Sequence, residues 1–195
     1  MKYLFVIYTD GRKRYQEYLK NFYDTELFTR VCTEQNIEVA FWGQHHRREY
    51  RELPKKTQEM MKWCSENKEY DYLVKCDETI IWREDLKDKF TYENIFIENP
   101  EEYYGINEVM FDWKDEYPYS EMLPCNSGYK NEDLSKLDSS FCKITSGYFY
   151  DGKCYVVSKN FSSFIGKQKG LAEMFRKKLR MEDVMVSFIY REMYK

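Results

Sequence analysis

Three short apolar runs, separated by segments of helical period, constrain this chain most. KYLFVIY (2–8), IEVAFWG (37–43) and YDYLVKC (70–76) are rich in β-branched and aromatic residues and have the length of buried strands. Between the first two, RKRYQEYLKNFY sets Tyr15, Leu19 and Phe22 on one helical face, and a second helix is expected over 25–35. Between the second and third, Pro54 opens a helix whose run KKTQEMMKWCSEN turns Met60, Met61 and Cys64 toward a core. The order β-α-α-β-α-β predicts an α/β fold with a Rossmann-like, mostly parallel central sheet flanked by helices. Such sheets bind ligands beyond the carboxyl ends of their strands. That singles out the loops 9–14, 43–50 and 77–79.

The second half is less regular. YFYDGKCYVVS (148–158) places Asp-Gly between two strand-like runs, a hairpin signal. Helices are expected over 159–166, 171–180 and 181–193, the last burying Val184, Phe188 and Met193. No repeat or linker interrupts the 195 residues, so a single domain is predicted. A net charge of −3 gives no general attraction to nucleic acid, despite the basic clusters RKR (12–14) and HHRR (45–48). None of the six cysteines forms a CxxC pair, and several lie in apolar periodic segments, so reduced core packing is expected. The first apolar run is too short to span a membrane, and no small-residue cleavage site follows it. The expected setting is cytoplasmic, as a free chain or as part of a longer or viral protein.

Two acidic pairs carry the chemistry. Asp77 and Glu78 end the third strand, followed by Thr79. Acids at a strand exit either form a solvated turn or hold a divalent cation that neutralises a diphosphate. Glu182 and Asp183 open the last helix, where carboxylates serve as caps or as a general base. The loop TDGRKR (9–14) reads as a basic turn, or as a phosphate or nucleotide contact through Arg12 or Arg14; Thr9 and Asp10 at the strand tip are the better nucleotide candidates. His45 and His46 are the only histidines and could pair on a metal. Tyr150, Asp151 and Gly152, with Tyr148 and Phe149 before them, offer aromatic faces for a sugar ring or for the core.

Four segments then fall in register with one family. Tyr50, Leu53, Lys56, Thr57, Trp63, Tyr72, Lys75 and Asp77 match a pattern close to D-x-Y-x-N-L-T-L-K-T, a tryptophan-bearing helix, and Y-V-x-K-x-D-D-D. VAFWG resembles an F-V-L-G strand, GKCYVVS an S-G-x-G-Y-V-L-S segment, and MEDVMV an E-D-V-Y-x-G motif. The chain thus resembles the β-1,3-galactosyltransferase and β-1,3-N-acetylglucosaminyltransferase family. The resemblance implies the glycosyltransferase A (GT-A) fold, a nucleotide-sugar donor (commonly UDP-linked), a glycan hydroxyl acceptor, Mn2+ or Mg2+, and inversion at the anomeric carbon. It implies a nucleotide-binding half over about 1–82 and an acceptor-binding half over about 83–195. It assigns the metal to Asp77, Glu78 and Thr79, the donor also to Lys56 and Lys75, and the base to Asp183 with Glu182 second. Thr79 departs from the family's third acid, and no histidine follows position 46 to complete a metal site. Two rivals stand beside this reading. One is a non-catalytic nucleotide- or sugar-binding module of the same fold. The other is a nucleotidyltransferase, against which the single glycine of TDGRKR speaks.

Overall fold

A computed structural model of the protein describes residues 1–9, 13–43, 52–112, 146–168, 170–172 and 182–194. β1 (Tyr3–Tyr8) is buried along its whole length, and its side chains alternate between two cores. Tyr3, Phe5 and Ile7 face one cluster, Leu4, Val6 and Tyr8 the other. A strand apolar on both faces needs a helical layer on each. The first layer holds α1 (Lys13–Tyr23) and α2 (Glu26–Thr33), which bring Phe22, Leu27 and Val31. Thr25 caps α2 by accepting the Phe28 N–H at 3.2 Å. The second layer holds α3 (Leu53–Asn67), which brings Met60, Met61 and Cys64.

β1 pairs in parallel with β2 (Ile37–Trp42) on one side and with β3 (Tyr72–Asp77) on the other. After α3 come the short helix α4 (Tyr92–Ile95), β4 (Tyr103–Gly105), β5 (Glu108–Asp112), β6 (Ser146–Tyr150) and β7 (Cys154–Ser158). The main sheet has the order β2-β1-β3-β7-β4. β7 runs antiparallel to both β3 and β4. The sheet is therefore mixed: four strands share one direction and β7 opposes them. The β1–β3 half matches the sequence expectation, while the reversed fourth strand makes "mostly parallel" too simple.

β6 and β7 flank the Asp-Gly turn but do not form the expected hairpin. β6 pairs with β5 in a separate two-stranded sheet, and β7 enters the main sheet. The cause is burial. All five residues of CYVVS are buried, and β7 is paired on both sides, with β3 along its length and with β4 at Tyr155–Val157, so it is no edge strand.

α5 (Lys159–Lys167) and α6 (Glu182–Tyr194) complete the second layer. Residues 182–189 of α6 are buried on every side, because the helix packs against α3, α5 and β6 at once. The expected single apolar face stops there, and Met193 is exposed, not buried. Of the helix expected over 171–180, only 171 and 172 lie within the described residues. Cys64, Cys76 and Cys154 are buried free thiols, as core packing predicts, and Cys32 is exposed.

Candidate functional site

The chain leaves β1 for β2 on one side, then crosses the sheet to β3 on the other. The carboxyl ends of β1 and β3 therefore lie side by side where the winding reverses, which is where an open α/β sheet forms its crevice. The Glu78 N–H donates to Tyr8 O at 3.1 Å, and the Thr9 N–H to Trp42 O at 2.9 Å, fixing the three strand ends together. β7 starts beside them, with the Asp77 N–H donating to Lys153 O at 2.8 Å. The first turns of α3 and α6 close on the same point.

Lys75 is the hub. Its side chain is wholly buried, and its ammonium donates to Asp77 Oδ1 at 2.8 Å, Glu182 Oε1 at 3.1 Å and the Gly152 carbonyl. Burial works against this charge, but Asp77 and Glu182 outweigh it and raise the lysine above its ordinary value. Three donors meet three acceptors, so Lys75 holds the site together and has no N–H left for a ligand. Asp77 feels the reverse. Burial would raise its carboxyl, but Lys75 and Lys153 hold it below the ordinary value.

Tyr8 lies between two cations, with Lys56 Nζ and Lys75 Nζ each 4.5 Å from its ring centre. Its hydroxyl donates to Thr57 Oγ1 at 2.8 Å. Lys56 donates to Thr9 O at 3.2 Å, and burial lowers its ammonium below the ordinary value. Gly43 ends β2 against these groups with φ +107°. A Cβ there would strike Lys56 Cε and Nζ and the Thr9 carbonyl. Gly43→Ala is expected to destabilise the fold by about 2 kcal/mol or more, from backbone strain and from displacement of Lys56 together. Urea unfolding of the variant checks this.

Asp183 is nearly buried. Its Oδ2 accepts the Gly152 N–H at 3.1 Å, and its Oδ1 accepts the Val184 N–H at 2.8 Å. Burial, reinforced by the adjacent Glu182 carboxylate, raises its carboxyl to about 7, against the pull of those two N–H groups and Lys75. A Cβ at Gly152 would lie 2.7 Å from Glu182 Oε1, so a side chain there would push that carboxylate away from its place beside Lys75.

A divalent metal fits this donor set poorly. Both Asp77 oxygens carry ammonium groups, Lys75 on Oδ1 and Lys153 on Oδ2 at 3.1 Å. Thr79 Oγ1 accepts from the same Lys153 Nζ at 3.0 Å. Glu78 is buried. Among the described residues no group of three or more His, Cys, Asp or Glu side chains is placed to hold a metal.

Thr9, Lys56, Lys75, Asp77, Glu78, Thr79, Gly152, Glu182 and Asp183 thus gather at one end of the sheet. Asp10 and Arg12 lie outside the described residues, as do His45, His46 and the rest of HHRR. Arg14 sits in α1, and its side chain is not among those described. Two acceptor-side candidates have other work. Asp151 closes the turn by accepting the Lys153 N–H at 2.9 Å and pairs with Arg83 at 3.1 Å. The Tyr150 ring stands edge-on to Tyr103 at 5.0 Å, and its N–H donates to Ser187 Oγ at 3.3 Å. Sequence reasoning missed Tyr8, Lys153 and Tyr155, whose ring centre lies 5.6 Å from Lys75 Nζ. The tyrosines read as ordinary strand residues, and Lys153 becomes visible only through register. Cys76 pairs with Cys154 and Lys75 with Tyr155, which sets Lys153 beside Asp77.

A groove of about 570 Å³ lined by Tyr70, Tyr72, Glu102, Ser158 and Lys159 lies at the opposite end of β3, away from this charged cluster. Among the described residues no helix is long and apolar enough to cross a membrane. No protein-family model and no curated protein matches the chain.

Proposed function

We propose that this chain is an inverting glycosyltransferase of GT-A type, moving a sugar from a nucleotide-sugar donor, UDP-linked in the first instance, to a glycan hydroxyl, in a cytoplasmic setting. One observation carries the reading. The segments around Lys56, Lys75–Asp77, Gly152 and Glu182–Asp183 are far apart in sequence, yet they meet at one switch point. Lys75 and Glu182, 107 positions apart, share a hydrogen bond there. These are the segments that bear the resemblance to the β-1,3-glycosyltransferases.

The chemistry follows from the carboxylates. The acceptor oxygen attacks the anomeric carbon, and its proton passes to Asp183. The bond from that carbon to the donor phosphate breaks, its electron pair leaves with the nucleoside diphosphate, and the configuration inverts. A carboxyl held near neutrality is suited to the base role. Each Asp183 oxygen accepts one backbone N–H and keeps a second lone pair for an acceptor hydroxyl. Thr9 and Lys56 stand on the nucleotide side of the cluster, at the tips of β1 and α3.

The test is thermal unfolding against a panel of nucleotides and nucleotide sugars, followed by anomeric NMR of the reaction with glycan acceptors. A ligand bound only by the folded chain, at a hundred times its dissociation constant, stabilises by about 2.7 kcal/mol. The expected result is a rise of several degrees for one nucleotide class and a product of inverted configuration. No rise with any nucleotide overturns the proposal. A rise without turnover supports the second reading, a nucleotide-binding module, which the neutral Thr79 favours.

A further inference from the structure

Lys153 is held in a clasp that the rest of the site does not explain. Its ammonium donates to Asp77 Oδ2 at 3.1 Å and to Thr79 Oγ1 at 3.0 Å. Its backbone is fixed on the same residue, since its carbonyl accepts the Asp77 N–H at 2.8 Å. Its own N–H is tied to Asp151 Oδ1 at 2.9 Å, so the turn cannot swing the side chain away without breaking both contacts. The side chains of Lys153 and Asp77 are 29% and 25% exposed, unlike the sealed Lys75, so this pair faces the open side of the crevice.

The two positions that grip Lys153 are the first and third of the acidic triplet to which the resemblance assigns a divalent cation. A metal ion there would displace the ammonium, and would bring a double positive charge against two lysines that share one carboxylate. The third position, a neutral hydroxyl, suits an N–H donor better than a hard cation. An ammonium has three donors, and the two bonds to Asp77 and Thr79 leave one.

We propose that Lys153 replaces the metal: its ammonium, anchored by Asp77 and Thr79, binds the diphosphate of the donor, and the chain binds nucleotide without a divalent ion. This rests on the nucleotide-sugar reading above. In transfer, the electron pair of the broken sugar–phosphate bond remains on the diphosphate oxygen, and Lys153 meets that charge while the acceptor proton goes to Asp183.

Isothermal titration with UDP and with uridine, each in excess EDTA and in millimolar Mn2+, tests this on the wild-type chain, Lys153→Met and Lys153→Arg. Lys153 is partly exposed, so the variants are expected to fold, and their thermal midpoints report this. The expected result is UDP binding of equal strength in EDTA and Mn2+. It should weaken about 10- to 100-fold in Lys153→Met, as loss of a charge-assisted bond predicts, and recover in part in Lys153→Arg. Uridine, which lacks phosphate, should bind wild type and Lys153→Met alike. UDP binding that requires Mn2+ and is unchanged in Lys153→Met overturns the metal replacement and leaves the transferase reading standing. Failure of UDP to bind under either condition, with a negative nucleotide panel, overturns both.

Discussion

Asp183→Asn is expected to lower the transfer rate about a thousandfold, the middle of the range for removal of a positioned general base. Nucleotide binding should change little, because the proposed role gives Asp183 the acceptor's proton and not the phosphate. The pH profile separates this role from a structural one. The carboxyl sits at about 7, so only the ionised fraction can accept a proton, and below 7 the wild-type rate should fall tenfold per pH unit. Above 7 it should level off. In Asp183→Asn the residual rate should be flat across the same window. A variant rate within a few-fold of wild type, or a wild-type profile without a break near 7, would remove Asp183 from the mechanism.

The same shift has a stability consequence of known sign. The folded chain holds the Asp183 proton to about 7, whereas an unfolded aspartate releases it at about 4. The protonated form is therefore favoured by folding, and the contribution of Asp183 is full below about 4 and lost as pH rises through about 7. Asparagine, which does not titrate, should remove that loss. The midpoint of Asp183→Asn should thus gain on wild type as pH rises from 5 to 8, even though one of the two backbone N–H groups loses its acceptor.

Much of the first sheet was legible in the sequence, because strands buried on both faces must be apolar at every position. Tyr3–Tyr8 shows this, and Pro54 marked the start of a helix because its fixed φ suits a first turn. The place of the site followed from the same pattern, since alternating strands and helices fix where the winding reverses. The partners of its residues did not follow. Lys75 reads as an exposed strand lysine until β7 and α6 are folded onto it, and Lys153 reads as a hairpin residue until β7 is seen to leave β6 for β3. Those pairings are long-range, and a short run such as CYVVS cannot say which strand it will join. Only the order of the four family-like segments hinted that Gly152 and Glu182 would return to Asp77.

Lys75→Met should be the most destabilising single change in the site. Methionine fills much of the same volume but leaves two carboxylates and the Gly152 carbonyl without the cation they share. The side chain of Glu182 is only 5% exposed, so water cannot replace the lost partner. Breaking a buried pair in this way costs about 3–5 kcal/mol, and in a domain of this size that corresponds to a fall of roughly 10 °C in the midpoint. The exposed helical pair Lys55–Glu59 provides the contrast, since its removal should cost below about 0.5 kcal/mol. Pairing Lys75→Met with Glu182→Gln should recover part of the loss, because the second change removes the orphaned charge. Acidification should do the same. The deficit arises from ionised carboxylate left beside the lost cation, so it should be largest at neutral pH and shrink as Asp77 takes up its proton. A deficit no larger than that of the Lys55–Glu59 pair, or one that grows on acidification, would show that the charges around Lys75 do not hold the strand ends together.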